Sequence, residues 1–197
     1  MKLYICDVNK YSIDELLNSK YLKEEDKNNA LKYKIEMDQK EHLISNYFKN
    51  KYIGEYRHNE NGKPVSDNAF FNISHSYNIV VIGISDREIG VDVEIIRDVK
   101  EDFIKYISNE DEYKFINGDN NKFYQIWCSK ESITKALGIG LIKDIKGIPG
   151  IPLEGNKKYL DKDFYSKMYL NDNYAISVTL FGNEDFEIEI IEEEINS

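Results

Sequence analysis

The chain has 197 residues, is 41% hydrophobic and 31% charged, and carries a formal net charge of −10. Such a chain can bury one substantial core or two small ones pressed together, and the composition is that of a soluble globular protein. The acidic balance argues against general nucleic-acid binding, which needs a basic surface, and no apolar run reaches the roughly 18 residues of a membrane span.

The N-terminal stretch, residues 1–8, lacks the hydrophobic region of a signal peptide and has the pattern of a first strand. The two cysteines, Cys6 and Cys128, are too few and too far apart in sequence to suggest a disulfide framework. We therefore expect two reduced thiols in a cytoplasmic protein.

A helical region follows the first strand. Ser12 with Glu15 three residues later is a capping-box pattern that opens a short helix. Apolar residues at spacings of three and four between positions 30 and 48 predict amphipathic helices. We expect Asp38 to cap the second of these, which should run to about Tyr52.

The next segment is predicted to be a small β-structure. Asn61-Gly62 and Lys63-Pro64 mark a turn. Three short runs of β-branched or aromatic residues then predict strands at 70–73, 79–84 and 89–94. We expect these strands to form an antiparallel meander with at least one helix against it.

The pattern becomes helical again after Glu94. Helices are predicted at 99–107, 109–115 and 121–137, the last ended by glycines 138 and 140. Strands are predicted at 165–170, 174–180 and 186–191, with a hairpin turn at 171–173. Helices followed by antiparallel strands thus occur twice, with a seam near residues 95–100, and the fold class is α+β.

Two acidic residues stand out on the predicted strand 89–94. Asp92 and Glu94 are two residues apart and share one face, whereas Val91 and Val93 face the core. Two such acids repel each other unless a cation or a basic group lies between them, and Mg²⁺ prefers oxygen ligands of this kind. Alternatively, they form a solvated polar face.

A third carboxylate lies on the predicted helix 121–137. Trp127, Glu131 and Lys135 recur every fourth residue and share one helical face. Glu131 could complete a set of carboxylates around one Mg²⁺ ion, or accept a proton from an attacking hydroxyl. Alternatively, Glu131 and Lys135 form a surface pair and Trp127 packs in the core.

Four further groups suit a phosphate. Neighbouring residues on a strand face opposite ways, so His75 is poorly placed to activate Ser74 as a nucleophile. Binding of phosphate oxygens is the better role for both, and Lys63 and Lys135 are point charges for the same ligand. Each lysine taken alone has the pattern of an ordinary surface residue, and only the four groups together describe a site for a polyphosphate.

Together these segments resemble the 4′-phosphopantetheinyl transferases, specifically the larger, monomeric, surfactin-type branch. The resemblance covers roughly residues 62–141 and rests on four motifs: Gly62-Lys63-Pro64, Phe71-Asn72-Ile73-Ser74-His75-Ser76, Ile89-Gly90-Val91-Asp92-Val93-Glu94, and Trp127 through Lys135 with Gly138-Ile139-Gly140-Leu141.

The resemblance implies transfer of the phosphopantetheine arm from coenzyme A to a serine of an apo acyl or peptidyl carrier protein, with release of adenosine 3′,5′-bisphosphate. It implies that Asp92, Glu94 and Glu131 hold Mg²⁺, or Mn²⁺ in its place. Glu131 would also deprotonate the carrier serine, directly or through a metal-bound water, and Lys135 would steady the pyrophosphate.

The resemblance further implies that Lys63, Ser74 and His75 grip the coenzyme A phosphates. It implies two similar α/β halves related by a pseudo-twofold, which we divide at residues 1–97 and 98–197, with the active site in the cleft between them. No nucleic acid or membrane is expected as a partner.

One departure from the family pattern lies in residues 38–42, which offer Lys40 and His42 but an acid at position 41. Contacts to the adenosine end of coenzyme A are therefore open. Three rivals also remain at this point: a Mg²⁺-dependent phosphohydrolase, a non-catalytic homologue that binds coenzyme A or a carrier protein, and a structural salt-bridge network.

Overall fold

The computed structural model describes residues 1–140 and 144–195. The helices are α1 (Ile13–Leu17), α2 (Glu24–Ala30), α3 (Glu36–Phe48), α4 (Glu101–Ile107), α5 (Glu110–Ile116) and α6 (Asn120–Leu137). The strands are β1 (Lys2–Asp7), β2 (Arg57–His58), β3 (Pro64–Val65), β4 (Phe70–Ser76), β5 (Ile79–Ser85), β6 (Ile89–Ile95), β7 (Gly155–Tyr159), β8 (Lys162–Leu170), β9 (Tyr174–Phe181) and β10 (Glu189–Glu192). Leu141, the last residue of the predicted motif, lies outside the described residues, as do residues 196–197.

Two four-stranded sheets form the centre of the fold. The first has the order β10-β1-β5-β4 and the second has the order β6-β9-β8-β7. All neighbours in both sheets are antiparallel except β1 and β10, which run parallel. The predicted α+β class is confirmed.

The alternation of side chains on each strand explains the layering. In β1, Leu3 and Ile5 pack with Val91 of β6 between the two sheets, whereas Tyr4 and Cys6 pack beneath α3 on the other face of the first sheet. A third core cluster lies between α4–α6 and the second sheet. The layers are therefore helices, sheet, sheet, helices.

The prediction of a meander of three strands is wrong for β6. Strands β4 and β5 pair as expected, but β6 pairs with β9, with Asp92 opposite Ser177. The reason is that β6 is buried on both faces: Val91 packs between the sheets, while Gly90 and Asp92 face α6. A strand covered on both faces needs a place inside a two-layered structure.

Local capping signals set several helix ends. Ser12 and Glu15 form the predicted capping box at α1, and Gly138 ends α6 in the left-handed conformation with φ of 66°. The prediction that Asp38 caps α3 is wrong, because Ile35 occupies the N-cap position and Asp38 lies in the first turn. An acid there still favours the positive end of the helix dipole.

Strand β7 was not predicted. Its sequence is polar and contains two lysines, and Tyr159 is the one residue of a type that strands favour. The short hairpin of β2 and β3 contains the predicted Asn61-Gly62 turn, with Gly62 at φ of 81°. Cys6 and Cys128 are buried and free, as expected.

A buried carboxylate just after the C-terminal strand β10 joins that strand to α3 and the residues that follow α3. Glu193, 7% exposed, accepts hydrogen bonds from Tyr47 at 2.7 Å, Lys51 at 2.5 Å and Tyr52 at 2.6 Å. Burial alone would raise the pKa of Glu193, but these hydrogen bonds lower it. The acidic C-terminal segment is thus held against β1 and the end of α3.

The division of the chain at residues 1–97 and 98–197 stays a prediction, as does the pseudo-twofold. The two sheets exchange strands across that boundary, since β6 joins the later strands and β10 joins the earlier ones. Among the described residues, no helix combines the length and apolar character needed to cross a membrane.

Candidate active site

Polar side chains, rather than paired backbones, join β4 of the first sheet to β6 of the second. Three alternate side chains of β4 accept hydrogen bonds from alternate backbone amides of β6: Asn72 from Val91 at 2.8 Å, Ser74 from Val93 at 3.3 Å, and Ser76 from Ile95 at 3.3 Å. Side chains on a strand return to the same face every two residues, so this register also places Ser74 beside Asp92 and Ser76 beside Glu94.

The first of these acids is Asp92, which is 4% exposed. Its Oδ1 accepts hydrogen bonds from Ser74 Oγ at 3.1 Å and from Lys135 Nζ at 2.6 Å. Lys135 Nζ also donates to Ser74 Oγ at 2.8 Å. The other carboxylate oxygen, Oδ2, is buried without a hydrogen-bond partner among the described residues.

The second acid is Glu94, which is held from two sides. Ser76 Oγ donates to its Oε2 at 2.8 Å and Trp127 Nε1 donates to its Oε1 at 3.1 Å. Burial and the neighbouring Asp92 raise the pKa of Glu94, although the two hydrogen bonds act in the opposite direction. Trp127 therefore contacts the site, in addition to packing in the second core.

Helix α6 approaches β6 very closely, and Gly90 makes this possible. A Cβ atom at Gly90 would lie 1.9 Å from the carbonyl oxygen of Ser132 and 2.4 Å from the amide nitrogen of Ala136. No other residue type fits this distance without moving the helix. The close approach brings Glu131 and Lys135, one turn apart on α6, over Asp92.

Glu131 is the third acid. Burial first, and then the negative charge of Asp92, raise the pKa of its carboxyl group to about 7, although Lys135 acts in the opposite direction. Burial alone would lower the pKa of Lys135, but the charge and hydrogen bond of Asp92 raise it overall. The site thus holds one lysine that stays charged and one carboxylate able to exchange a proton near neutral pH.

A cavity of about 280 Å³ opens beside these residues. Glu131, Thr134 and Lys135 of α6 form one wall, and Asn72 with Ile73 of β4 forms another. The turn at 61–64 and the glycines at the end of α6 complete the lining. The predicted carboxylate and lysine of α6 therefore face a space that a small ligand can enter.

Lys63 lines the same cavity, but its ammonium group is already bound. Its Nζ contacts Glu88 Oε2 at 3.0 Å, Ile89 O at 3.4 Å and Ala136 O at 3.1 Å, and the side chain is 10% exposed. Lys63 thus ties the turn to the C-terminal end of α6, where a cation is favourable.

His75 lies on the opposite face of β4 from Ser74, as expected from strand alternation. Its side chain is half exposed, and Nδ1 lies 3.0 Å from Glu41 Oε2. It borders a second cavity of about 540 Å³, which Tyr33, His42 and Lys49 also line. The structure therefore separates His75 from the other predicted site residues.

His42 and Lys40, on α3, differ in their surroundings. The Nε2 atom of His42 is buried without a partner among the described residues, and burial together with Lys49 lowers the pKa of His42. Lys40 instead forms an ion pair with Glu36 at 2.7 Å. His42 is the better placed of the two for contact with a ligand in the second cavity.

A buried ion pair lies next to Glu131. Lys130 and Glu112 are both fully buried, with Lys130 Nζ 2.8 Å from Glu112 Oε2. Lys130 also donates to the carbonyl oxygens of Ile145 and Ile148, while Glu112 accepts from Gly150 N at 2.7 Å. This pair fixes the segment 145–150 against α6.

Sequence reasoning did not assign Gly90, Ser76, Trp127 or Lys130 to a role at the site. One signal was present for Ser76: serines 74 and 76 have the same two-residue spacing as the acids at 92 and 94. The other roles depend on contacts between distant elements, which no local pattern encodes.

The side chains at this site offer oxygen atoms, so they suit a divalent cation that prefers oxygen ligands. Within residues 1–140 and 144–195, no group of three or more His, Cys, Asp or Glu side chains is already gathered as a metal site. However, the unpartnered buried oxygen of Asp92, with Glu94 and Glu131 nearby, supplies the carboxylate donors that Mg²⁺ prefers.

Comparison with known proteins adds independent information. The sequence model of the 4′-phosphopantetheinyl transferase superfamily matches residues 88–184, which contain Asp92, Glu94, Glu131 and Lys135. The chain is 33% identical over 138 residues to 4′-phosphopantetheinyl transferase gsp of Aneurinibacillus migulanus, covering 67% of this chain and 54% of that protein.

Two relatives from Bacillus subtilis agree. The chain is 35% identical to 4′-phosphopantetheinyl transferase ffp over 50% of this chain and 48% of that protein, and 29% identical to Sfp over 59% and 52%. The chain thus spans about half the length of the curated relatives it matches, and these relatives are consistent with the surfactin-type branch. From its acidic motifs and these matches, the chain belongs to the 4′-phosphopantetheinyl transferase superfamily.

Proposed function

We propose that the protein transfers the 4′-phosphopantetheine arm of coenzyme A to a serine hydroxyl of an apo carrier protein, with Mg²⁺, and releases adenosine 3′,5′-bisphosphate. The observation that carries the proposal is that Glu131 and Lys135 line one cavity, that Lys135 contacts Asp92 at 2.6 Å, and that the charges of Asp92 and Glu94 act on Glu131. All four residues lie within the segment that matches the superfamily.

The residues that would hold the metal ion are Asp92, Glu94 and Glu131. When bound, Mg²⁺, or Mn²⁺ in its place, would neutralise charge on the pyrophosphate of coenzyme A. Lys135 now occupies one oxygen of Asp92 at 2.6 Å, and the second oxygen is free of partners among the described residues. This unpartnered oxygen is the position at which Asp92 would bind the cation.

Glu131 is the proposed proton acceptor. In the metal-free protein its pKa is raised to about 7, so its carboxyl group can exchange a proton near neutral pH. The carrier serine oxygen forms a bond to the β-phosphorus of coenzyme A, the bond from that phosphorus to the bridging oxygen breaks, and the serine proton passes to Glu131. Coenzyme A and the carrier protein are both negatively charged. The main task of the protein is therefore to position the two substrates and to compensate their charge.

Lys135, Ser74 and His75 are the proposed phosphate contacts, together with Lys63, whose ammonium group would exchange its contact with Glu88 for one with the phosphate. Lys135 is 29% exposed at the edge of the cavity and is hydrogen-bonded to Ser74, so these two groups can act on one phosphate together. His75, on the other face of β4, would reach a different phosphate of the same ligand through the second cavity.

The test is transfer of labelled pantetheine from coenzyme A to an apo carrier protein by Glu131→Gln. Loss of a general base is expected to lower the rate by about 10²–10⁴-fold. The matched control is Glu110→Gln, an exposed acid in the first turn of α5, which should retain the wild-type rate. A Glu131→Gln rate near that of the wild type would remove Glu131 from the proposed role.

The alternative is a non-catalytic homologue that binds coenzyme A or a carrier protein. It predicts that coenzyme A binds, measurably by calorimetry, while the carrier gains no mass under any condition. A phosphohydrolase would instead release inorganic phosphate from small esters without a carrier. Because the non-catalytic alternative predicts no mass gain on any carrier, fatty-acid, polyketide and non-ribosomal peptide carriers should be assayed in parallel.

A further inference from the structure

Both oxygens of the Glu94 carboxylate are held by neutral donors from different parts of the fold. Ser76 comes from β4 in the first sheet, and Trp127 comes from α6 over the second sheet. Glu94 itself is on β6, between them. Strands β4 and β6 and helix α6 therefore meet at the side chain of Glu94.

Each of the two donors is itself fixed. Ser76 Oγ accepts the backbone N–H of Ile95 at 3.3 Å, and this bond directs its hydroxyl hydrogen towards Glu94. The indole ring of Trp127 packs against Phe103, with ring centres 5.5 Å apart. The positions of both hydrogen-bond donors are thus set before any ligand arrives.

The two bonds leave part of the carboxylate open to a cation. A carboxylate has about four lone-pair positions, and one donor on each oxygen leaves half of them open. Neutral donors also add no positive charge that would repel a metal ion. Asp92 differs, since the ammonium group of Lys135 already occupies one of its oxygens.

We infer that Ser76 and Trp127 are positioning residues that hold the Glu94 carboxylate ready for a divalent cation. Partners of this kind orient metal ligands, and their loss typically weakens metal binding by about 10–100-fold. This inference rests on the proposed function, because it assumes that Glu94 takes part in Mg²⁺ binding.

The test measures binding of Mg²⁺ alone to the full chain by calorimetry. Trp127→Phe keeps an aromatic ring against Phe103 but removes the N–H group, and Ser76→Ala removes the hydroxyl. Both should weaken Mg²⁺ binding by about 10-fold or more, and Ser76→Thr, which keeps a hydroxyl, should restore it. The matched control is Ser108→Ala, since Ser108 is also buried but its Oγ has no partner among the described residues.

The sequence supplies a second readout, because Trp127 is the only tryptophan. Its emission reports on the neighbourhood of Glu94, so Mg²⁺ should change it in a saturable way in the wild type. Glu94→Gln should abolish that change, and Glu189→Gln on the distant strand β10 should leave it intact. Excess Mg²⁺ should also restore the transfer rate of Ser76→Ala, which a damaged fold would not allow.

The outcomes separate this inference from the proposed function. If the wild type binds Mg²⁺ and both variants bind it within twofold as tightly, Ser76 and Trp127 have no positioning role, and the transferase proposal stands. If the wild type transfers the pantetheine arm but Mg²⁺ neither binds nor changes the emission, the positioning role and the metal assignment both fail. If Mg²⁺ binds as expected but no carrier is modified, the metal site stands and the transferase proposal fails.

Discussion

Gly90→Ala should disturb both the fold and the site, because α6 and β6 touch at this glycine. The new Cβ would lie 1.9 Å from the carbonyl oxygen of Ser132, whereas carbon–oxygen contacts are normally about 3.3 Å or longer. The helix and the strand must therefore separate by roughly 1.4 Å, the difference between these two distances. A forced overpacking of this kind lowers the free energy of unfolding by about 1–3 kcal/mol.

The same movement carries Glu131 and Lys135 away from Asp92. The Lys135–Asp92 contact of 2.6 Å cannot survive a displacement of that size unchanged. Misplacement of reacting groups by about 1 Å lowers rates by about 10²-fold. We therefore expect a melting temperature lower by about 2–12 °C, and a transfer rate lower by about two orders of magnitude.

Thermal unfolding and the carrier-protein transfer assay measure the two effects. The control is Gly83→Ala on β5, whose Cβ would meet side-chain atoms, Val91 Cγ2 at 2.5 Å and Ile89 Cδ1 at 2.8 Å. It should lose stability but lose less than about 10-fold in rate, since it does not press on α6. Wild-type stability and rate in Gly90→Ala would refute the close approach of α6 to β6.

Three other predictions concern stability. Lys130→Met leaves a buried carboxylate unpaired and should lower the free energy of unfolding in urea by about 3–5 kcal/mol, whereas Lys114→Met, at an exposed ion pair, should leave it unchanged. Because the pKa of Glu131 is raised to about 7, its carboxyl group stabilises the metal-free fold at acid pH and this contribution is lost as pH rises through 7. The melting temperature of Glu131→Gln should therefore rise relative to the wild type between pH 5 and pH 8, and a constant difference would contradict the burial of Glu131. The lowered pKa of Glu193 has the opposite sign: Glu193→Gln should be destabilised at pH 7, and its difference from the wild type should shrink as pH falls below 4.5.

Local patterns predicted most of the elements near the site. The capping box of Ser12 and the left-handed stop at Gly138 each depend on a few neighbouring residues, and both are confirmed. Along β6, the alternation of side chains places Val91 and Val93 in the core as predicted, but the opposite face is largely buried as well. The face shared by Asp92 and Glu94 follows from the same alternation. Such signals act within one turn or one strand, so a single sequence is enough to read them.

Strand pairing was harder to predict. Strand β6 pairs with β9 and β10 pairs with β1, and in both cases the partners are separated by many residues. The hydrophobic period shows that a segment is a strand but not which strand lies beside it. The polar strand β7 shows neither signal: Lys158 is exposed at the sheet edge, whereas Lys157 is buried and donates to the carbonyl oxygen of Gly150 at 3.3 Å.

The site shows the same limit. The motifs named Asp92, Glu131 and Lys135, and the structure brings these three side chains together. They did not name Gly90 or Trp127, whose contributions come from contact between α6 and β6. Such roles depend on tertiary packing, and contacts between distant elements produce no periodic pattern in the sequence.

The most direct test of the account is the mass of an apo carrier protein after incubation with this protein, coenzyme A and Mg²⁺. Fatty-acid, polyketide and peptide carriers should be tried, each with Glu131→Gln and with a chelator as controls. At least one carrier should gain the mass of a single phosphopantetheine arm on its serine. This gain should occur with the wild type in the presence of Mg²⁺, and neither with Glu131→Gln nor with the chelator. Unchanged mass on every carrier, with the wild type folded and coenzyme A bound, would contradict the transferase function.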